Sequence, residues 1–256
     1  MIINIEQEVS NIVKWIKEYV VSTNAKGVVI GNSGGKDCAT VIALATKALG
    51  KENVITIAMP CNSIKQDLED AKLVASTFGV KLLEIDLSET YNILENQVQA
   101  NLKLQNIELA KEAKINTKPR LRMTSLYMVA QSLNYLVAGT GNLCESMVGY
   151  TTKWGDNSSD FNPIANFTVE EVLQIGKYLG VPNKILEKAP NDGLGNVTDE
   201  EKMGITYKQI AEYIDTGNTS PEAMKKIKIR YETSRHKRCA IPVYNYTRKN
   251  YLLYSK

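Results

Sequence analysis

The chain has 256 residues, 43% of them hydrophobic and 23% charged, with a net charge of +3; this is the composition of an ordinary globular α/β protein, and one domain over 1–256 is the simplest organisation. No apolar run approaches the ~20 residues that cross a bilayer, and so small a charge leaves no footprint for nucleic acid. The one histidine, His236, argues against a multi-histidine metal site, and four scattered cysteines without a C-x-x-C pair argue against zinc and against a disulfide framework.

The N-terminal MIINIEQEVSNIVKWIKEYV carries an amphipathic helix pattern with acidic side chains. It lacks the basic start and small-residue cleavage site of a signal peptide, so a cytoplasmic location with no membrane partner is expected. Gly27-Val-Val-Ile-Gly31 is then a short β-branched strand, leading through a glycine loop into the helical ATVIALATKALG, stopped at Gly50. A strand over 53–58, a helix over 66–78 and a strand over 80–86 follow. One long helical stretch is expected from about Ser88 to Ala113, another from about Met123 to Leu133, and then a strand over 135–139. Apolar strands alternating with helices imply an α/β, doubly wound, mostly parallel sheet with helices on both faces. Between Gly141 and Asn166 glycine, asparagine and aspartate crowd together as a functional loop region. Capping boxes at Thr168-Val-Glu-Glu171 and Thr198-Asp-Glu-Glu201, and the pair Ser220-Pro221, open further helices.

The strongest chemical signal is Ser33-Gly34-Gly35-Lys36-Asp37, set between a strand and a helix. Paired glycines let the backbone approach a ligand, and the free N–H groups of a helix N-terminus favour a phosphate. The spacing is neither that of a Walker A loop nor G-x-G-x-x-G. Asp37 in a phosphate cradle would repel the ligand unless a cation stood between them, which makes it a candidate magnesium ligand. A tight turn with an acidic first helical turn is the alternative reading. The basic run KKIKIRYETSRHKR is either a solvated helix face or a clamp for an anion.

This loop resembles the S-G-G-x-D-S pyrophosphate loop of the ATP pyrophosphatases, with Cys38 in place of the last serine. Further segments resemble the NAD synthetase family in the same order. Ala58-Met59-Pro60, with Gln66-Asp67 and Asp70-Ala71, is similar to its adenine-side segment, and Arg120-Leu121-Arg122-Met123 with Tyr127 to its R-x-R-M-x-x-x-Y helix start. Thr140-Gly141-Asn142 with Glu145 comes next, then Gly149 through Lys153-Trp154-Gly155-Asp156 to Asp160 and Pro163. Thr198-Asp199-Glu200 with Gly204 and Tyr207, and His236-Lys237-Arg238 with Pro242, complete the series.

The resemblance implies a Rossmann-like, adenine nucleotide alpha hydrolase-like fold. It implies ATP along Gly31, Asn32, Ser33, Gly34, Gly35, Lys36 and Cys38, with Met59, Thr140 and Asn191 also on the ATP side. It implies Mg2+ on Asp37 and Glu145, and deamido-NAD on Arg120, Lys153, Asp160, His236 and Lys237, with Asp37, Lys153 and Asp160 as the catalytic set. Two places depart from the family pattern: Val169 stands where a phosphate-contacting lysine is usual, leaving Lys36 to supply charge, and Pro190-Asn191-Asp192-Gly193-Leu194 replaces P-[ST]-A-D-L.

The activity implied is that of an AMP-forming ligase. The nicotinate carboxylate of deamido-NAD attacks the α-phosphorus of ATP, and ammonia then displaces AMP. A chain of this length has no room for a glutaminase domain, so free ammonia is the expected donor. The family also implies a homodimer. The competing readings are another adenylating pyrophosphatase and a nucleotide sensor without turnover. Thiolation would need a catalytic cysteine pair, and a sensor would be expected to lose Asp37 or Glu145.

Overall fold

The computed structural model describes residues 1–188 and 198–244; Asn191, with the rest of the 190–194 segment singled out above, lies outside the described residues. Asn4 caps the first helix, α1 (Ile5–Ser22), by accepting from the Gln7 amide, and Val9, Ile12, Ile16 and Val20 recur every three or four residues as its buried stripe. Then β1 (Val28–Gly31), α2 (Lys36–Leu49), β2 (Val54–Ala58), α3 (Lys65–Phe78), β3 (Lys81–Glu84), α4 (Ser88–Leu104), α5 (Lys111–Leu133) and β4 (Leu136–Ala138) alternate as the apolar pattern demands. The strands pair in parallel in the order β3-β2-β1-β4. The C-terminal part is helical, with α6 (Leu143–Val148), α7 (Val169–Tyr178), α8 (Asn183–Leu186), α9 (Asp199–Met203), α10 (Tyr207–Thr216) and α11 (Pro221–Thr233). Among the described residues no helix is long and apolar enough to cross a membrane.

Side chains alternate across a strand, so the sheet has two apolar faces. Val28, Ile30 and Val54 pack with the stripes of α1, α2 and α7, whereas Val29, Ile55, Ile57 and Val137 pack with Tyr91 of α4 and Ala130 of α5. A third cluster joins Cys144 and Val148 of α6 to Tyr207 and Ile210 of α10 and Ile227 of α11. The α7 helix ties this cluster to the sheet: Val169 belongs to it, while Val172 and Ile175 lie in the first face.

Two expected helices are redrawn. The helix read as running to Ala113 stops at Leu104, because Asn106 turns left-handed (φ 57), with its amide donating to the Lys103 carbonyl (3.1 Å) and the Ile107 amide to that of Leu102 (3.0 Å). The next helix starts at Lys111 rather than Met123 and carries Pro119 inside it. Its polar first half has little apolar period of its own. It is held by α4, through an ion pair of Lys114 with Glu95 (2.9 Å) and the Lys118 ammonium 5.3 Å from the Tyr91 ring centre.

The strand order fixes where a ligand goes. From β1 the sheet grows one way through β2 and β3, and the other way to β4. A crevice therefore opens outside the carboxyl ends of β1 and β4, at the point where the winding reverses.

Candidate active site

The glycine loop occupies one side of that crevice. At Gly34 (φ 71) a Cβ would stand 2.6 Å from Asp70 Cβ and 2.8 Å from the Ala71 amide, so only glycine lets the loop lie against α3. Gly35 differs: an added Cβ would meet only Ser33 Oγ, at 3.3 Å. Gly35 is also the cap residue of α2 and has no side chain to satisfy the first amides, which leaves them for an anion. Asn32 is buried; its Nδ2 donates to the Ala71 carbonyl (2.9 Å) and its Oδ1 accepts from the Gly34 amide (3.1 Å). Cys38 Sγ donates to the Gly35 carbonyl (3.1 Å), and burial pushes its thiol up. Both side chains thus turn into the fold and shape the loop, while Ser33 is exposed. Gly31, at the end of β1, has Leu126 and buried Met59 as its nearest neighbours.

Asp37 and Glu145 are joined through Asn142. The Asn142 Nδ2 donates to Asp37 Oδ1 (3.3 Å), its backbone amide donates to Glu145 Oε2 (2.8 Å), and its Oδ1 accepts from the Glu145 amide (3.1 Å) as the capping box of α6. Burial, and then the Asp37 charge, push the Glu145 carboxyl above its ordinary range. Two carboxylates held this way call for a cation. Lys36 supplies one: its Nζ is 3.0 Å from Asp37 Oδ2 and 5.8 Å from the Tyr207 ring centre. Burial disfavours that ammonium, but the charges of Asp37 and Glu145 outweigh it and hold the Lys36 pKa above its usual value. Val169 packs in the apolar cluster of Tyr207, so Lys36 reaches over this cluster from the loop side. Among the described residues no three His, Cys, Asp or Glu side chains gather as a ligand set. Magnesium does not need three; it takes one or two carboxylates and completes its shell with water and phosphate, so the donors present fit it.

The other side of the crevice is a cleft of about 540 Å³ lined by Tyr127, Lys153, Trp154, Ser158, His236 and Cys239, among others. Asp160 stands at its edge. Its Oδ2 accepts from the Val137 amide (2.7 Å) and its Oδ1 from the Tyr127 hydroxyl (3.3 Å), which mounts the carboxylate on β4. Exposed Arg120 donates to the Lys153 carbonyl (3.3 Å), and exposed His236 lies in a single 3-10 turn. Lys237 lines the cleft, but its ammonium donates to the carbonyls of Gly149 (2.7 Å) and Thr151 (2.6 Å), which holds it against the main chain. Burial lowers its pKa.

Segment 137–142 connects the two sides, from Val137 bonded to Asp160 to Asn142 bonded to Asp37 and Glu145. Asn162 Nδ2 donates to the Gly141 carbonyl (2.8 Å), and a Cβ on Gly139 would run into Ser159 Oγ at 2.5 Å. The half-buried Thr140 lies between these glycines, and Asn142 meets Asp37 and Glu145 from the other end.

Two residues quoted in the sequence motifs but given no role there acquire one. Asn142 bridges the two carboxylates. Arg122, largely desolvated, donates to the Met59 carbonyl (3.1 Å) and to Ser63 Oγ (3.2 Å), holding the chain that leaves β2. An arginine needed inside the fold was visible only as a motif letter, because its partners lie ~60 residues earlier in the chain.

Residues 8–241 match the family model described as NAD synthase. The chain is 43% identical to a protein of Carboxydothermus hydrogenoformans named NH(3)-dependent NAD(+) synthetase, over 93% of this chain and 97% of that one. Among solved structures it is similar to an NMN synthetase from Francisella tularensis, with TM-score 0.89, 32% identity and coverage of 96% and 100%. An NH3-dependent NAD synthetase from Campylobacter jejuni superposes with TM-score 0.78 at 26% identity, covering 95% of this chain and all of that one.

Proposed function

The chain belongs to the NAD synthase family, and from that premise we propose that it amidates the nicotinate carboxylate of deamido-NAD with ammonia, forming AMP and pyrophosphate from ATP. The observation that carries this reading is the segment 137–142, which bonds at one end to Asp160 beside the cationic cleft and at the other to Asp37 and Glu145 of the phosphate cradle. A carboxylate held in the cleft meets the α-phosphorus of an ATP held in the cradle.

The Gly35 end of α2 presents free amides to the pyrophosphate that leaves, and these act where charge develops. Ser33 lies exposed at the mouth of the loop, and Lys36 adds positive charge beside Asp37. Magnesium held by Asp37 and Glu145 would supply charge neutralisation at the phosphates. Lys153 and His236 bind the anionic groups of the dinucleotide, and Asp160 offers its remaining lone pairs to a ribose hydroxyl or to the incoming ammonia. Little acid-base work is needed beyond deprotonating ammonium, so positioning and electrostatics carry the rate.

The solved relative named for NMN synthesis favours a second reading, in which nicotinate mononucleotide takes the place of the dinucleotide. One assay separates them: protein, Mg-ATP and ammonium with either deamido-NAD or nicotinate mononucleotide, following the amide product and AMP. ADP in place of AMP, or turnover independent of both substrates, overturns the proposal. We also propose one domain and a homodimer, the latter supported by exposed Ile93, Leu94 and Val98 on α4. Sedimentation of Val98→Asp as a monomer, against a dimeric wild type, is the expected result.

A further inference from the structure

The cleft contains a residue in a conformation that its side chain does not favour. Trp154 has φ 62, and the other non-glycine residues with positive φ among the described residues are all asparagines: Asn24, Asn62, Asn106 and Asn134. Asparagine tolerates that region through local hydrogen bonds; a bulky aromatic residue does not. The turn is held from both sides. The Trp154 amide donates to Asn157 Oδ1 (2.9 Å), the Gly155 amide to the Thr152 carbonyl (2.9 Å), and the Thr152 amide to Asp156 Oδ1 (2.7 Å).

The strained backbone brings no packing, since Trp154 remains 52% exposed, with its ring in the wall of the cleft. The Lys153 ammonium sits 5.2 Å from the ring centre, so the indole already receives a cation on its face.

We propose that Trp154 is the stacking platform for the pyridinium carboxylate ring of the substrate. A nicotinate nucleotide carries a positive ring nitrogen and a negative carboxylate on one flat ring. The ring takes the place of the ammonium on the electron-rich indole, and the carboxylate draws Lys153 to itself. The backbone strain is thus a cost of holding the ring out over the cleft. This inference rests on the cleft being the substrate side of the site.

The chain's two tryptophans are Trp15 and Trp154, so Trp15→Phe leaves a single indole as reporter. Nicotinate mononucleotide and deamido-NAD are expected to quench its fluorescence, and AMP is not. Trp154→Gly places at φ 62 the residue best suited to it. Its melting temperature should therefore be equal to or above that of the wild type, while KM for the pyridine nucleotide rises roughly tenfold and KM for ATP is unchanged. Trp154→Phe should restore most of the loss. A melting temperature that falls with KM intact, or quenching by AMP as strong as by the mononucleotide, overturns the platform. Calorimetry on Trp15→Phe separates the two ideas: no heat with either pyridine nucleotide overturns both, whereas binding without a fluorescence change overturns the platform alone.

Discussion

The phosphate loop and the cationic cleft are joined by one segment, 137–142, but are built in opposite ways. In the loop, residues 31–38 are contiguous, and Asn32, Gly34 and Cys38 are packed or bonded inward before any ligand arrives. In the cleft, Tyr127, Lys153, Trp154 and His236 come from three distant stretches, and Trp154 and His236 stand in solvent. A phosphate is bound by main-chain amides, which work only if the backbone is fixed beforehand. The cleft presents side chains, whose positions depend on neighbours far away in sequence. Damage to the loop should therefore remove the chemistry, whereas damage to the cleft should change which substrate is used and how tightly.

The largest expected effect tests that division directly. Asp37→Ala should lower the rate of AMP formation by roughly 1000-fold with an unchanged circular dichroism spectrum. A variant within tenfold of wild type would show that the carboxylate does not serve the phosphate side.

Gly34→Ala and Gly35→Ala should then separate. The first drives a Cβ to 2.6 Å from Asp70 Cβ at φ 71 and should cost roughly 2–4 kcal/mol of stability. The second meets only Ser33 Oγ and should keep its melting temperature while KM for ATP rises. Equal melting temperatures for the two would break the picture of a loop fixed by α3.

Asp70 sharpens the same point through pH. Burial opposes its ionisation, but hydrogen bonds from Lys184 (2.7 Å), Lys188 (2.8 Å) and Gln66 (2.9 Å) outweigh it and hold the carboxyl at about 2, below its ordinary 3.8. Because the folded-state value is the lower one, the stability gained is complete above the ordinary value and is lost as pH falls from there through about 2. The difference corresponds to roughly 1–2 kcal/mol once the water around Lys184 is allowed for. Asp70→Asn should melt lower than wild type at neutral pH, and the gap should close towards pH 2. A gap that persists at low pH would assign the effect to packing instead.

The smallest effect belongs to the cleft. Tyr127→Phe removes one 3.3 Å hydrogen bond to Asp160, which keeps its bond from the Val137 amide. KM for the pyridine nucleotide should rise only a few-fold, with KM for ATP unmoved.

Much of the fold was legible because buried parallel strands are short apolar runs, and 28–31, 54–58 and 136–138 are such runs. The capping boxes at Thr168 and Thr198 also form as their spacing requires. The start of α5 was not legible. Residues 111–122 carry too few apolar side chains to show a period, and they include Pro119. Their helix exists because Glu95 and Tyr91 of α4 receive Lys114 and Lys118. The candidate site divides along the same line. The loop can be read as an anion cradle from adjacent residues, whereas the cleft could be named only from the family resemblance. Nothing in the local sequence around Trp154 announces a left-handed tryptophan.

The sequence by itself determined the alternation of strands and helices, the glycine loop at the end of β1, and an acid in the first turn after it. These depend on contacts between near neighbours, where spacing and chirality leave few choices. Tertiary structure decided that Asn142 joins Asp37 to Glu145, that Arg122 bonds inside the fold, and that Trp154 stands over a cleft whose lining includes Lys237. Each of these requires partners brought together from tens of residues away. Their energies are set by burial and by neighbouring charges that no local window of the chain contains.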